Sequence, residues 1–445
     1  MKIVRTIYRK ITPFQMITAS FTALILVGSL LLWLPVARVK DASCTYLDAL
    51  FTSCSAVCVT GLVVKNTATF WTVFGKTVLL LLIQAGGLGV ITIIIAVSIF
   101  TGKRIGLRQR NLMQNVVSAP QIGGIIRFTR FLLLFTLSVE GLGSLLLLIP
   151  FVRDYGPGDG MKKALFHSVS AFCNADFDLL GDKTAFASLT AYHGNILLNL
   201  VIMALIVTGG LGFLTWEDLI RTRFRFKRLK VQSKLILISS AFLILIPAVL
   251  FFFFEFDHEP LKDRLLLSAF QSVTTRTAGF NTADFGSMHE GAMLIMIVLM
   301  LIGGSPGSTA GGLKTTTFSV ILIAGVSYIR QEKNVHVLGR SIGIPIVLQA
   351  FTLMILYVSL LLGGSLMISM TEGLPILKCL FECASALGTV GLTMGITPSL
   401  GNVSKIILIL FMYFGRVGGL TLAYATLTGG KKIPGKLPEE RIIVG

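Results

Sequence analysis

Eight runs of mostly apolar residues dominate this chain, each near the roughly 20 residues that a helix needs to cross a bilayer core of about 30 Å. They are Phe14–Pro35, Val73–Phe100, Phe131–Phe151, Asn195–Leu214, Leu235–Phe254, Ala292–Ile329 (broken in the middle), Ile344–Met367 and Ile406–Leu427. Inside a bilayer every backbone polar group must be satisfied within the protein, so such runs read as helices. Charged residues are 13% of the 445 and apolar residues 54%. So few charges cannot cover a water-exposed surface, and a soluble multidomain enzyme is excluded. A disordered chain, which needs low hydrophobicity and high charge, is excluded too. The first run is too long for a removable signal peptide and lacks a small-residue cleavage site.

Lys and Arg in the short loops set the orientation. One side carries Lys2, Arg5, Arg9 and Lys10, then Lys103, Arg104, Arg108, Arg110 and Arg127. It also carries Arg221, Arg223, Arg225, Lys227, Arg228 and Lys230, then Arg330, Lys333 and Arg340, and finally Lys431, Lys432, Lys436 and Arg441. The opposite loops are mixed in sign, so both termini are expected in the cytoplasm and the protein in the cell membrane. The net charge of +18 is therefore a topology signal, and no nucleic-acid partner is expected. The same basic face can attract a soluble partner or anionic lipid. Five of the six cysteines (Cys54, Cys58, Cys173, Cys379, Cys383) lie in apolar stretches and Cys44 just outside. None has a partner at zinc spacing, so they read as small packed residues.

Between odd and even runs lie four short segments with one pattern. They are Ala49–Leu62, Ala164–Phe177, Ser268–Phe280 and Cys379–Leu392, and their last small positions are Gly61, Asp176, Gly279 and Gly391. Those positions are 115, 103 and 112 residues apart, and the third copy is one residue shorter before its glycine. A second glycine cluster follows each segment, at Gly86-Gly87-Leu88-Gly89, Gly209-Gly210-Leu211-Gly212, Gly303-Gly304 and Gly418-Gly419. The unit is span, half-crossing hairpin, span, repeated over residues 1–110, 111–230, 231–340 and 341–445. Irregular backbone at membrane depth is tolerated where protein buries it or where it lines a water-filled cavity. Four such hairpins can close around one axis and offer carbonyl oxygens in place of a cation's hydration shell. Glycine suits this because it accepts positive φ and adds no side chain at the axis. The plainer alternative is re-entrant packing loops whose glycines allow close helix contact.

These motifs resemble the superfamily of potassium transporters built from four fused outer-helix, pore-loop, inner-helix repeats, and within it the Ktr-type membrane subunit. The resemblance covers essentially the whole chain and rests on Thr60-Gly61-Leu62, Thr275 to Phe280, Gly388 to Leu392 and Gly303 to Lys314. It implies an all-α membrane protein of eight transmembrane helices around one pore, assembled as a homodimer, on a cytoplasmic ring of nucleotide-binding regulatory subunits. The implied filter is Cys58, Val59, Thr60 and Gly61; Cys173, Asn174, Ala175 and Asp176; Arg276, Thr277, Ala278 and Gly279; and Gly388, Thr389, Val390 and Gly391. Potassium is the expected ion, with sodium as the alternative or as a requirement for uptake. Asp176 stands where the family pattern has glycine, which leaves open a sodium-selective or conduction-impaired filter. No cofactor is expected in this chain: it has no Gly-x-Gly-x-x-Gly after a strand, so nucleotide acts only through the partner.

The sixth run cannot be one helix, because Pro306 removes a backbone donor and five glycines lie between 303 and 312. The resemblance makes Gly303, Gly304, Ser305, Pro306, Gly307, Ser308, Thr309, Ala310, Gly311, Gly312 and Lys314 an intramembrane gate under the filter. It gives Arg416, in the eighth run, the role of holding that gate. Arg276 is expected behind the filter, since a guanidinium in the ion path would repel cations. Glu140 is expected to pair with a neighbouring hydroxyl, amide or base, and His167 to be structural. Two functions of different kinds remain: a channel-like translocation subunit and an alternating-access transporter. The second is marked by inverted repeats with helices broken at the midplane, whereas two full spans per unit keep successive units in one orientation. No metal set, nucleophile–base pair or phosphate loop supports an enzyme.

Overall fold

The computed structural model describes residues 12–93 except 41 and 91, and residues 124–426 except 183, 287 and 333. The basic residues Lys2, Arg5, Arg9, Lys10, Lys103, Arg104, Arg108, Arg110, Lys333, Lys431, Lys432, Lys436 and Arg441 lie outside the described residues.

Among the described residues four helices are long and apolar enough to cross a membrane: α1 (Pro13–Trp33), α4 (Ile125–Cys173), α7 (Val231–Phe254) and α11 (Ile344–Glu372). Local chemistry sets their ends. Thr12 and Gln15 close a capping box at the start of α1, with Pro13 in the first turn, which satisfies amide groups the helix itself cannot. Gly373 ends α11 in the left-handed region, φ 65°. Large apolar side chains such as Leu30, Leu134, Leu245 and Leu366 stand exposed along these helices. A stripe of that extent is a lipid-facing surface.

The short helices are the opposite. In α2 (Tyr46–Cys58), in α4 after Gly156 and in α12 (Ile376–Gly388) the C-terminal half is wholly buried, and in α8 (Leu261–Thr274) all of it but Ala269. Helix α4 joins the third run to the second hairpin through a break at Gly156, φ 75° and ψ 171°.

The even-numbered runs differ from the expected continuous spans. Only the sixth was expected to be broken, yet the second, fourth and eighth break as well. The second is α3 (Val73–Leu88), ended by Gly89 at φ 84°. The fourth is α5 (Ile196–Gly210) and α6 (Phe213–Arg221), bent by 93° at Gly212. The sixth is α9 (Glu290–Leu301) and α10 (Thr315–Ile329), separated by a 13-residue loop. The eighth is α13 (Asn402–Val417) and α14 (Gly419–Thr426), parted at Gly418, φ 90°. Hydropathy continues through each break, so the apolar count hid them. The fold is also not purely helical: Val335–Val337 (β1) and Arg340–Ile342 (β2) form an antiparallel hairpin.

Each long helix packs on the short one that follows it, α1 on α2, α7 on α8 and α11 on α12. Each helix preceding a glycine break packs on the next repeat: α3 on α4, α5 on α8, α9 on α12, and α13 back on α2. The arrangement is a closed ring. One hydroxyl ties three short helices to their long partners in the same way: Ser53 donates to the Ile25 carbonyl at 2.7 Å, Ser168 to Glu140 at 2.6 Å and Ser272 to Ile244 at 2.5 Å.

Candidate ion-conduction site

Three of the short helices end directly in a left-handed cap, and in the third segment a further turn, from Thr275, precedes the same pattern. Val59, Asn174, Thr277 and Thr389 have φ of 58°, 58°, 65° and 52°, and two residues later Gly61, Asp176, Gly279 and Gly391 have 94°, 55°, 82° and 100°. Positive φ at alternate residues turns successive carbonyls toward one side. Val59, Thr277 and Thr389 are β-branched, for which this region is unfavourable. Strain of about 1–3 kcal/mol per residue persists where surrounding structure holds it, commonly at functional sites.

A second hydroxyl supplies part of that hold, and the sequence reading did not single it out. Ser55 Oγ accepts from the Gly61 amide at 3.0 Å and Ser385 Oγ from the Gly391 amide at 3.0 Å. Thr274 Oγ1 donates to the Phe280 carbonyl at 2.5 Å. In the second copy Ser170 Oγ accepts from Phe177, one residue beyond Asp176, at 3.0 Å. The outgoing segments are held as well: His167 Nε2 accepts from the Leu179 amide at 3.4 Å, and Glu382 accepts from Thr393, the Met394 amide and Thr397. His167 is thus structural. The repeating hydroxyl spacing within the four segments was the signal that would have found these residues.

The four loop ends converge. A methyl group built on Gly279 or Gly391 would strike Asp176 Oδ2, and one on Gly61 would strike Asp176 Cβ. The carbonyls of Thr60, Ala175 and Val390 lie against the same three glycines. The Asp176 side chain therefore fills the point toward which the other three loops present bare glycine. It is partly exposed, and among the described residues no hydrogen bond or ion pair reaches its carboxylate. The side chains of Thr60, Thr277 and Thr389 are buried with hydroxyls that have no partner among the described residues.

The first residue of each expected quartet makes its contacts elsewhere. Cys58 Sγ lies 3.7 Å from Cys54 Sγ, and Cys173 Sγ contacts Gln84 and Glu140 at 3.6 and 3.9 Å. Gly388 packs on the Met300 carbonyl. Arg276 borders a small cavity with Val207, Leu211, Ser240 and Ile244, away from the convergence point, and its Nε has no partner among the described residues. Glu140 takes an amide partner, Gln84 Nε2, at 3.2 Å.

Loop 302–314 lies directly beneath. Thr309 Oγ1 donates to the Phe172 carbonyl at 3.1 Å and to Asn174 Oδ1 at 3.0 Å. Gly311 sits so close under Thr389 that a methyl group would strike its hydroxyl. Main-chain bonds fasten the loop to two helix breaks: Ser305 N to Gly210 O at 3.0 Å, Phe213 N to Gly307 O at 3.0 Å and Gly312 N to Gly415 O at 3.1 Å. Gly303 packs on Gly311 and Gly304 on Ala310, so the loop doubles back on itself around Pro306 and Ser308. Arg416 donates to the Thr309, Gly86 and Gly87 carbonyls, joining the loop to a third break. Lys314 donates to Ala310 O at 2.8 Å and Gly311 O at 3.2 Å, so its ammonium is partnered within the loop. Below the loop a cavity of about 440 Å³ opens, bordered by Lys314, Arg416, Phe21, Leu353 and Tyr357.

The structure also corrects the fourth glycine cluster. Gly86, Gly209 and Gly415 each press on a carbonyl at the end of a short helix: Val57, Phe172 and Leu387. Gly89, Gly212 and Gly418 follow three residues later at φ 84°, 88° and 90°. The matching motif in the fourth repeat is therefore Gly415-Arg416-Val417-Gly418, and Arg416 takes the place of Gly87 and Gly210.

The profile of the TrkH family, described as cation transport protein, matches residues 5–429. The chain belongs to the TrkH cation transport family. It is thus a multi-pass membrane protein of a family of transporters, not of enzymes. Ktr system potassium uptake protein B of Bacillus subtilis is 42% identical, over 94% of this chain and 93% of that protein. Potassium/sodium uptake protein NtpJ of Enterococcus hirae is 37% identical, over 99% of each. The crystal structure of the potassium transporter TrkH from Vibrio parahaemolyticus superposes with a TM-score of 0.74 at 19% identity, over 93% of this chain and 84% of that one. At that identity the likeness is one of fold.

Proposed function

We propose that this chain is the potassium-translocating membrane subunit of a Ktr-type uptake system. Eight crossings in four fused repeats surround one pore, and the cation sheds water onto carbonyls of residues 58–61, 173–176, 276–279 and 388–391. Loop 303–314 and Arg416 form the gate beneath. The observation that carries this reading is the convergence of four loops with the same alternation of positive φ on one point. Relatives named for potassium uptake support the choice of ion. The working unit is a homodimer in the cell membrane with both termini in the cytoplasm, each chain with its own pore. A nucleotide-binding regulatory ring docks on the cytoplasmic face, where Arg221, Arg223, Arg225, Lys227, Arg228 and Lys230 stand exposed. The chain itself needs no cofactor, and nucleotide acts through the ring.

A second reading, of a filter that prefers sodium or passes potassium poorly, is favoured by one observation: the Asp176 carboxylate occupies the convergence point. Flux of potassium and sodium into proteoliposomes, with and without a gradient of the other ion, tests both. Channel-like translocation predicts passive flux down each ion's own gradient. Strict dependence on a second ion's gradient would instead favour alternating access.

A further inference from the structure

We infer that Asp176 builds a divalent-cation site into the filter, one that calcium occupies and that thereby blocks monovalent flux. The inference rests on the filter reading above. A pore for monovalent cations works because carbonyl dipoles bind each ion weakly enough to release it. The Asp176 carboxylate changes this balance: in its ionised form it attracts a divalent ion with twice the Coulomb energy it exerts on potassium at equal distance. Calcium takes about six to eight oxygen ligands in flexible geometry, backbone carbonyls and carboxylates among them. The structure supplies part of that set, and water would complete it. The Val390 and Thr60 carbonyls lie against Gly279 and Gly391, the two glycines beside which Asp176 Oδ2 rests, and the Ala175 carbonyl lies against Gly61, next to the Asp176 Cβ. The carboxylate is partly exposed and accepts no hydrogen bond from the described residues, so no protein donor competes with a cation for it. Asp178, two residues on, adds negative potential but is itself engaged, accepting from the Leu180 amide at 2.9 Å. Magnesium fits less well, because it demands octahedral geometry and keeps its waters.

The test uses the full chain reconstituted in liposomes, with radioactive rubidium influx measured against added calcium chloride. Equilibrium dialysis with radiocalcium on the detergent-solubilised protein gives a readout independent of flux. The unchanged chain should bind one calcium ion and lose most of its rubidium flux. Asp176→Asn should lose that binding and raise the half-blocking calcium concentration by about tenfold or more, a shift worth ~1.4 kcal/mol of binding. Asp178→Asn should leave both nearly unchanged. Calcium block and binding that persist in Asp176→Asn, or that vanish in Asp178→Asn alone, overturn the site, as does an unchanged chain that binds no calcium. The filter reading fails separately, if Gly391→Ser leaves the rubidium-to-sodium flux ratio where it was.

Discussion

The four converging loops and the four helix breaks beneath them come from segments of similar sequence pattern, yet only the loops stay alike. Each loop puts positive φ at two alternate positions, and three of them keep a hydroxyl on a loop amide. The breaks diverge. Three repeats turn on a single glycine at φ 84°, 88° or 90°, while the third expands into residues 302–314 and the fourth carries Arg416 where the others carry glycine. A ring of carbonyls needs equal contributions from all sides, whereas an obstacle needs only one element to cross the axis and another to hold it. On the proposed reading, selectivity favours symmetry and gating does not require it.

The largest effect should come from the layer that joins the two halves. A methyl group on Gly86, Gly209 or Gly415 meets a backbone carbonyl of Val57, Phe172 or Leu387, which cannot rotate aside. Gly86→Val, Gly209→Val and Gly415→Val should each abolish flux, and the monodisperse peak in size-exclusion chromatography should shrink with it. Overpacking of this kind costs about 1–3 kcal/mol and sometimes more. Gly141→Ala and Gly363→Ala, with nothing within 4 Å of the added atom, should fold and conduct normally. Tolerance of valine at all three tight positions would mean that the loops and the breaks are not coupled through these contacts.

Next in size is the proposed gate. Removing residues 305–311 takes away the Thr309 bonds to Phe172 and Asn174 and the obstruction under Thr389. Rubidium flux should rise about tenfold, as a pore relieved of a constriction would. Arg416→Ala should give a smaller rise, because it frees one side of the loop and leaves the main-chain bonds to Gly210 and Gly415. A folded deletion variant that conducts no faster would remove the gate from loop 302–314.

The unlike halves were unequally visible in the sequence. The loop ends were legible because positive φ next to other backbone leaves a compositional mark, and Gly61, Gly279 and Gly391 carry it openly. Asp176 could be placed by its neighbours despite lacking that mark. The breaks at Gly89, Gly212 and Gly418 were not read, since hydropathy averages over a glycine and only Pro306 announced an interruption. The hydroxyl braces Ser55, Ser170, Thr274 and Ser385 were overlooked for a related reason: serine inside an apolar helix reads as small packing until its partner is seen.

Asp176→Gly makes the second loop more like the other three, so it sharpens the comparison directly. It removes the side chain from the convergence point and a left-handed aspartate, φ 55°, whose conformational cost is about 1–2 kcal/mol. Potassium flux should rise about fivefold, and the potassium-to-sodium ratio with it, by the argument that a weaker ligand releases ions faster. Unchanged fluxes of both ions would take position 176 out of the filter and with it the alignment of the second repeat.

The smallest effect, and the finest test, lies in the serine braces. Ser385→Ala leaves the Gly391 amide without its acceptor, and Ser55→Ala does the same to Gly61. A net hydrogen bond is worth about 1 kcal/mol, so each change should lower the potassium-to-sodium flux ratio only a few-fold. Ser170 is set apart because its oxygen accepts from Phe177, one residue past the convergence point. Ser170→Ala should therefore shift the ratio less than Ser385→Ala in the unchanged chain. With Asp176→Gly the second loop gains the freedom of the others, and the amide of residue 176 can take the position that Gly61 and Gly391 hold toward their serines. Ser170→Ala added to Asp176→Gly should then cost as much selectivity as Ser385→Ala. Measured as a double-mutant cycle, the coupling between positions 170 and 176 should be non-zero and of that sign. A coupling of zero would show that the slipped hydrogen bond belongs to the second loop itself and owes nothing to its aspartate.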